Sequence, residues 1–302
     1  VQEHPLISSR QTDDILHLAI PKGRMHEGVV RLLGDAGIRV SSGSGGPGSA
    51  RGYRPSISLA GVETKILKPQ NIIEMLHAGT RDLGFAGADW VAELNAELVE
   101  VLDTGLDMVR MVAGAPGGVL EEGRLPRRAL VIASEYERLT SRWIERRGAG
   151  DTFVRSYGAT EVFPPEDADC IVDIAASGAT LEANGLVIAE ELMRSSTRLY
   201  ASRAAMKHAH KRGRIEDMAM LVKSVLEARL RVMLELNVSS ENLDAVCGVL
   251  PCMRRPTLSQ LSGGGFAVKA AVPRDQLPTL IPALKARGGA DIVISPIAQV
   301  VP

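Results

Sequence analysis

Short unbroken apolar runs alternate along this chain with segments of helical period. Residues 15–20 read ILHLAI and end at Pro21, as a buried strand would. Residues 25–34 follow, with Val29, Val30, Leu32 and Leu33 at helical spacing and Gly34 and Gly37 as a stop. The pattern then predicts strands over 56–59 and 64–67 and a helix over 70–78. A strand over 82–87 enters a glycine turn, and Asp89 is placed to cap a helix over 90–94. Further on it predicts a strand over 129–134, a helix over 138–147, a strand over 170–175 and a helix over 181–193. A long helical stretch covers 202–230, broken at Gly213. Strands alternating with helices argue for an α/β fold built on parallel strands buried on both faces.

The last 75 residues or so change rhythm. A strand over 231–238, a helix over 240–249 and a strand pair across 257–272 come first. A helix over 274–287, closed by Gly288 and Gly289, and a strand over 291–295 complete the run. That order, βαββαβ, is the ferredoxin-like plan. Residues 41–52, SSGSGGPGSARG, have the composition of a flexible loop, and the polar first 13 residues are expected to be disordered.

Composition narrows the function classes. The 302 residues are 45% hydrophobic and 24% charged, enough for a large core without covalent staples. The net charge of -1 argues against nucleic-acid binding. Cys170, Cys247 and Cys252 are too few and too odd in number for a secreted disulfide framework. The CGVLPC pair lacks the second pair that a structural zinc would need. The start carries no signal-peptide pattern and no apolar run is long enough to span a membrane, so the expected location is cytoplasmic.

The densest chemistry lies in ADCIVDIAASGATLEANGL, residues 168–186. A strand is followed by the small residues Ser177, Gly178, Ala179 and Thr180, and Leu181 opens a helix. This geometry presents free N–H groups to a phosphate. Asp169 and Asp173, four residues apart on a strand, are expected to share one face. Paired acids beside a phosphate turn can hold sugar hydroxyls, or a magnesium ion carried by pyrophosphate. A plain helix cap with surface aspartates fits the same residues. KGR at 22–24 ends the first strand, where open α/β sheets bind ligands; Lys22 and Arg24 suit phosphate oxygens, and a solvated turn is the alternative. DLGFAGADW, with Gly87 and Asp89, reads alone as a helix cap. His208 and His210 in HAH do not share a helix face, so a solvated basic helix is favoured over a metal site.

Together these segments resemble the ATP phosphoribosyltransferases, in the long form with its own regulatory domain. The phosphoribosyl-diphosphate motif of that family is matched at Ala168, Asp169, Ile171, Asp173, Ser177, Gly178, Thr180, Leu181, Asn184 and Leu186. IPKGRM, LKPQNI, DLGFAGADW, LDTG with Arg110, SYGATEVFP, PCMRRPTLSQL and GGADIVISPI resemble further family segments in the same order. Departures occur at Gln70, Asn71, Asp107, Met108 and Glu137.

The resemblance implies a two-lobed catalytic body like the type II periplasmic binding proteins, followed by a ferredoxin-like, ACT-like regulatory domain. Lobe I would take residues 13–107 with 193–225, lobe II 108–192, and the regulatory domain 226–302. It implies transfer of the phosphoribosyl group to the adenine ring of ATP, the first step of histidine biosynthesis, with Mg2+ as cofactor. Asp169, Asp173, Lys22 and Arg24 would be catalytic. Asp169, Asp173, Ser177, Gly178, Ala179, Thr180 and Leu181 would bind phosphoribosyl diphosphate. ATP would fall to Lys22, Gly23, Arg24, Lys68, Gly87, Asp89, Asp103, Arg110 and Glu161. Histidine, as feedback inhibitor, would meet Asn237, Met253, Arg255, Thr257 and Asp291 in a homo-oligomer between dimer and hexamer. Prephenate dehydratases share the body-plus-small-domain plan, but their T-R-F signature is absent. A solute-binding protein would need a secretion signal.

Overall fold

The computed structural model describes residues 14–41, 52–253 and 255–301; the expected flexible loop and disordered start lie largely outside them. The chain divides into two compact units, residues 1–34 with 38–219 and residues 35–37 with 220–302.

The first unit is built on an eight-stranded sheet. Its strands are β1 (Leu16–Pro21), β4 (Val62–Leu67), β5 (Leu83–Gly87), β6 (Leu98–Pro116), β7 (Val131–Ser134), β8 (Thr152–Arg155), β9 (Cys170–Ala175) and β10 (Leu186–Ser202). Two short strands, β2 (Val40–Ser41) and β3 (Ser56–Ile57), pair separately. The order across the large sheet is β4-β1-β5-β10-β6-β9-β7-β8. β4, β1 and β5 run parallel at one end, and β9, β7 and β8 run parallel at the other. The long antiparallel strands β6 and β10 stand between and belong to both halves.

Helices α1 (Met25–Asp35), α2 (Pro69–His77), α3 (Ala88–Glu93), α4 (Glu137–Arg147), α5 (Ala179–Ala183) and α6 (Arg203–Lys207) flank this sheet, and α7 (Ala209–Arg229) carries the unit boundary. Leu18, Ile20, Ile72, Ile73 and Leu83 are fully buried in the β5 half; Met111, Ile132, Tyr136, Trp143 and Val172 are buried in the β9 half. The continuous apolar runs read from the sequence are thus strands covered on both faces.

The second unit is a four-stranded antiparallel sheet ordered β12-β13-β11-β14, from β11 (Arg231–Val238), β12 (Thr257–Gln260), β13 (Phe266–Pro273) and β14 (Ala290–Pro296). Helices α8 (Leu243–Cys247) and α9 (Leu277–Ala286) complete the βαββαβ order expected for the tail. Alternate residues Val232, Leu234, Leu236 and Val238 point to one face and meet Val246, Leu280 and Leu284.

Three expectations are corrected. The helix expected over 181–193 stops at Ala183, and Gly185 takes φ +72. Residues 186–202 are the longest stretch of strand after β6. Ala189, Glu190, Glu191, Leu192 and Met193 favour a helix locally, but pairing with β6 along the whole length overrides that preference. Gly213 does not break the helical region; the interruption falls at His208, and α7 runs through Gly213. Asp89 does not cap α3, whose cap position is Gly87.

Hydrogen exchange tests the largest of these corrections. β10 has β6 on one side throughout and β5 on the other only from Thr197 to Ala201. Amides of 197–201 should all be protected, while protection over 186–195 should alternate residue by residue. Continuous protection across 184–193 would restore the helix.

Candidate functional site

The C-terminal ends of β1, β5 and β9 converge where β6 and β10 pass from one half of the sheet to the other. Register shifts interrupt their pairing around Ser195, Thr197 and Arg198, opposite Asp103 to Val109. Asp107 adopts φ 50 there, a left-handed conformation that glycine enters freely. The departure from the family pattern at this position therefore lies on a strained backbone, with Asp107 accepting a hydrogen bond from the Thr197 hydroxyl at 2.8 Å.

Two cavities open at this crossing. The first, about 220 Å³, is lined by Glu161, Asp173 and the run Ile174 to Leu181. The second, about 200 Å³, is lined by Lys22, Arg24, Gly87, Asp89, Trp90, Asp107 and Ser195 to Thr197, among others. Ile174 lines both, so the cavities adjoin at the end of β9.

The first cavity is the strand–turn–helix site read from the sequence. Gly178 takes φ +92 and starts α5, and the Ser177 hydroxyl accepts from the N–H of Ala179 at 3.3 Å. That leaves the N–H groups of Thr180 and Leu181, which have no helical partner four residues back, to face an anion. Asp173 is half-buried on the cavity wall. Burial raises its carboxyl to about 6; the N–H of Ile174, 2.7 Å from Oδ1, works against that rise, while Glu135 and Glu161 add to it.

Asp169 is not brought to this cavity. It lies just before β9, where its Oδ2 accepts the N–H of Val131 at 2.8 Å and its own N–H donates to the Val131 carbonyl. Four residues of strand separate it from Asp173 by roughly 13 Å, so sharing a face does not make the two acids neighbours. The Arg128 guanidinium stands 3.9 Å from Asp169. Asp169 thus stitches β9 to the start of β7.

In the second cavity Lys22 and Arg24 are exposed, with Gly23 between them at φ +82. Lys22 donates to the Tyr53 hydroxyl at 3.5 Å and lies 5.6 Å from that ring's centre. Asp89 is only 4% exposed. Its Oδ1 accepts from the Ser195 hydroxyl at 2.6 Å and its Oδ2 from the Tyr136 hydroxyl at 2.9 Å. A side chain at Gly87 would strike Asp89 Oδ1, which explains the glycine. Asp89 therefore organises the cavity wall from within.

Four residues expected on the ATP side line neither cavity: Gly23, between the two exposed cations, and Asp103, Arg110 and Lys68. Asp103 accepts from the N–H of Gly105 at 2.9 Å and the Ser196 hydroxyl at 2.7 Å, holding the bulge. Arg110 lies 3.7 Å from Glu191 across the ladder. Lys68 is exposed at the start of α2. Conversely, Ser195, Ser196, Thr197, Tyr136 and Ile174 were not singled out from sequence. The expected helix over 181–193 hid the strand that carries the first three to the crossing.

Among the described residues no group of three or more His, Cys, Asp or Glu could hold a metal by itself. The three cysteines are free, and burial pushes the Cys170 thiol up to about 12, so it is not a poised nucleophile. His210 Nδ1 lies 3.3 Å from Asp14, as on a solvated basic helix.

In the second unit, Met253, Arg255 and Thr257 line a cavity of about 480 Å³ with Met233, Cys252 and Lys269. Asn237 and Asp291 do not line it; the Asn237 amide donates to Asp291 Oδ2 at 3.0 Å. The five residues expected at one histidine site thus fall into two groups.

Residues 68–224 match the family model described as ATP phosphoribosyltransferase, and residues 228–299 match that of the HisG C-terminal domain. The chain belongs to the ATP phosphoribosyltransferase family. Relatives named ATP phosphoribosyltransferase include one from Pelotomaculum thermopropionicum, 33% identical, and one from Koribacter versatilis, 35% identical; each match covers 95% of this chain and 99% of the relative. A chain of the ATP phosphoribosyl transferase (HisG:HisZ) complex from Thermotoga maritima superposes with a TM-score of 0.60 at 26% identity, covering 70% of this chain and 99% of that one. Family membership sets aside the dehydratase and solute-receptor readings.

The raised Asp173 carboxyl predicts a pH-dependent cost. The folded chain binds this proton more tightly than an unfolded chain, whose Asp titrates near 3.9, so ionised Asp173 opposes folding increasingly as pH rises from about 4 to about 6. Asp173→Asn should raise Tm at pH 8, by the equivalent of up to roughly 3 kcal/mol, and by less at pH 4.5. Thermal unfolding at the two pH values decides it; an equal change at both contradicts the assignment.

Proposed function

We propose that the chain transfers the phosphoribosyl group of phosphoribosyl diphosphate to the adenine ring of ATP. The products would be phosphoribosyl-ATP and pyrophosphate, in the first step of histidine biosynthesis. The observation that carries this reading is the pair of cavities adjoining at Ile174, one a phosphate turn with an acid, the other rimmed by Lys22 and Arg24.

In this reaction a ring nitrogen attacks the anomeric carbon as its bond to pyrophosphate breaks. Positive charge gathers on the sugar and negative charge on the leaving group. Catalysis then rests on positioning and electrostatics, with no covalent nucleophile required. The turn from Ser177 to Leu181 holds the 5-phosphate through its N–H groups and the Ser177 and Thr180 hydroxyls. Asp173, once ionised, accepts from the ribose hydroxyls and faces the developing positive charge. Lys22 and Arg24 neutralise phosphate charge from the second cavity. Asp169 keeps a role in aligning β9, at a distance from the substrates.

Magnesium typically keeps several waters and takes one or two carboxylates plus substrate phosphates. Asp173 and Glu161 both line the first cavity, and these two carboxylates would be the residues to hold such an ion. It would neutralise pyrophosphate charge as the bond breaks.

We assign residues 13–107 with 193–225 to lobe I, 108–192 to lobe II and 226–302 to a regulatory domain. The crossing of β6 and β10 between the halves of the sheet supports the lobe boundary. Histidine is the proposed inhibitor, bound through Met253, Arg255 and Thr257, with the Asn237–Asp291 pair as a second element. The assembly is a homo-oligomer, dimer to hexamer. No described helix is long and apolar enough to cross a membrane, and we place the enzyme in the cytoplasm.

Coupled pyrophosphate release with ATP and phosphoribosyl diphosphate tests the activity. Thr180→Ala with Asp173→Asn should lower kcat/KM at least on the order of a hundredfold; unchanged kinetics would refute the site. In the same assay, Arg255→Ala should raise the histidine concentration for half-inhibition on the order of tenfold. An unaltered inhibition curve would remove Arg255 from the inhibitor site.

A further inference from the structure

Helix α4 begins without a cap of its own. Tyr136 occupies the cap position and makes no capping bond with its side chain. The Ser134 hydroxyl accepts from the Tyr136 N–H at 3.0 Å and donates to the Val172 carbonyl at 2.6 Å, so it is spent on the strand end. The first-turn N–H groups of Arg138 and Leu139 instead donate to the two carboxylate oxygens of Glu93, at 2.9 and 3.0 Å. Glu93 belongs to α3, in the other lobe, and is 8% exposed.

Asp89 and Glu93 lie four residues apart on α3 and therefore share a face. Both reach the same short segment of lobe II, Asp89 to the Tyr136 hydroxyl and Glu93 to the next turn. Trp90, between them in sequence, packs on Tyr136 with ring centres 4.7 Å apart. A buried carboxylate satisfied by two N–H groups is strongly held in place, and these donors disappear if the lobes part. The first helical turn of one lobe is thus completed only when the other is docked against it.

We propose that Glu93 is a positioning residue, an inter-lobe cap on α4 that holds the two cavities in register for the transfer. This rests on the phosphoribosyl-transfer reading. If the docked form is the one that binds both substrates, loosening it lowers apparent affinity for each by the same factor and leaves the bound complex competent. A merely structural role would reduce the folded, active fraction and leave KM alone.

The chain has two tryptophans, Trp90 and Trp143. A Trp143→Phe parent leaves Trp90 as the sole reporter of the lobe contact. Glu93→Gln keeps one acceptor oxygen and turns an NH2 donor against the second N–H. In the wild-type background, Glu93→Gln should raise KM for both substrates on the order of fivefold, with kcat within about twofold, and Glu93→Ala should raise KM further. In the Trp143→Phe background, Glu93→Gln should red-shift Trp90 emission without substrates, and saturation with both should reverse the shift. A fall in kcat at unchanged KM, or unchanged Trp90 emission, overturns the proposal. A wild-type protein that makes no phosphoribosyl-ATP would refute the transfer reading, and the Trp90 measurement would still judge the cap.

Discussion

The antiparallel pairing of β6 with β10 is the constraint on which the catalytic body depends. Each half of the sheet has only three short parallel strands of its own, and both long strands complete each half. Where they cross, the ladder loses register, Asp107 enters a left-handed conformation and Asp103 ties the bulge together. Residues of this irregular stretch, Asp107 and Ser195 to Thr197, line the second cavity. Ile174, at the end of β9, joins that second cavity to the first.

Charge is distributed across this site in keeping with its chemistry. Asp89 and Glu93 are buried but fully engaged, and serve to hold parts of the wall and of α4. Asp173 is half-buried with one neighbouring N–H and two nearby carboxylates, and its raised titration shows that its place is costly when ionised. A group held at such a cost is suited to meeting a cation or a developing positive charge. Lys22 and Arg24 stay exposed at the rim, Lys22 lying against the Tyr53 ring.

Much of this was legible from residue patterns because the governing forces are local. The strand and glycine turn at 170–180 follow from an apolar run meeting small residues, and the tail follows from period-2 alternation in 231–238. The body's parallel strands show as apolar runs because both faces are covered. Residues 186–202 were not legible. Their local preference is helical, and the partner strand that overrides it lies about 80 residues earlier. With that strand unseen, Ser195, Ser196 and Thr197 could not be placed at the site. The four-residue spacing of Asp169 and Asp173 did not disclose that Asp169 lies just before the strand, where its carboxylate is held on the Val131 backbone. The two-group split of Asn237 and Asp291 from Met253, Arg255 and Thr257 likewise depends on strand register, which residue identity does not disclose.

In the proposed reaction the Ser177–Leu181 turn takes the 5-phosphate while Asp173 meets the ribose, next to a separate cavity for ATP. A crystal structure with phosphoribosyl diphosphate bound tests it most directly. The 5-phosphate should lie within hydrogen-bond distance of the Thr180 hydroxyl and the turn's N–H groups, with Asp173 on the ribose hydroxyls and Asp169 still bonded to Val131. A 5-phosphate seated instead at Lys22 and Arg24, with the turn empty, would contradict it.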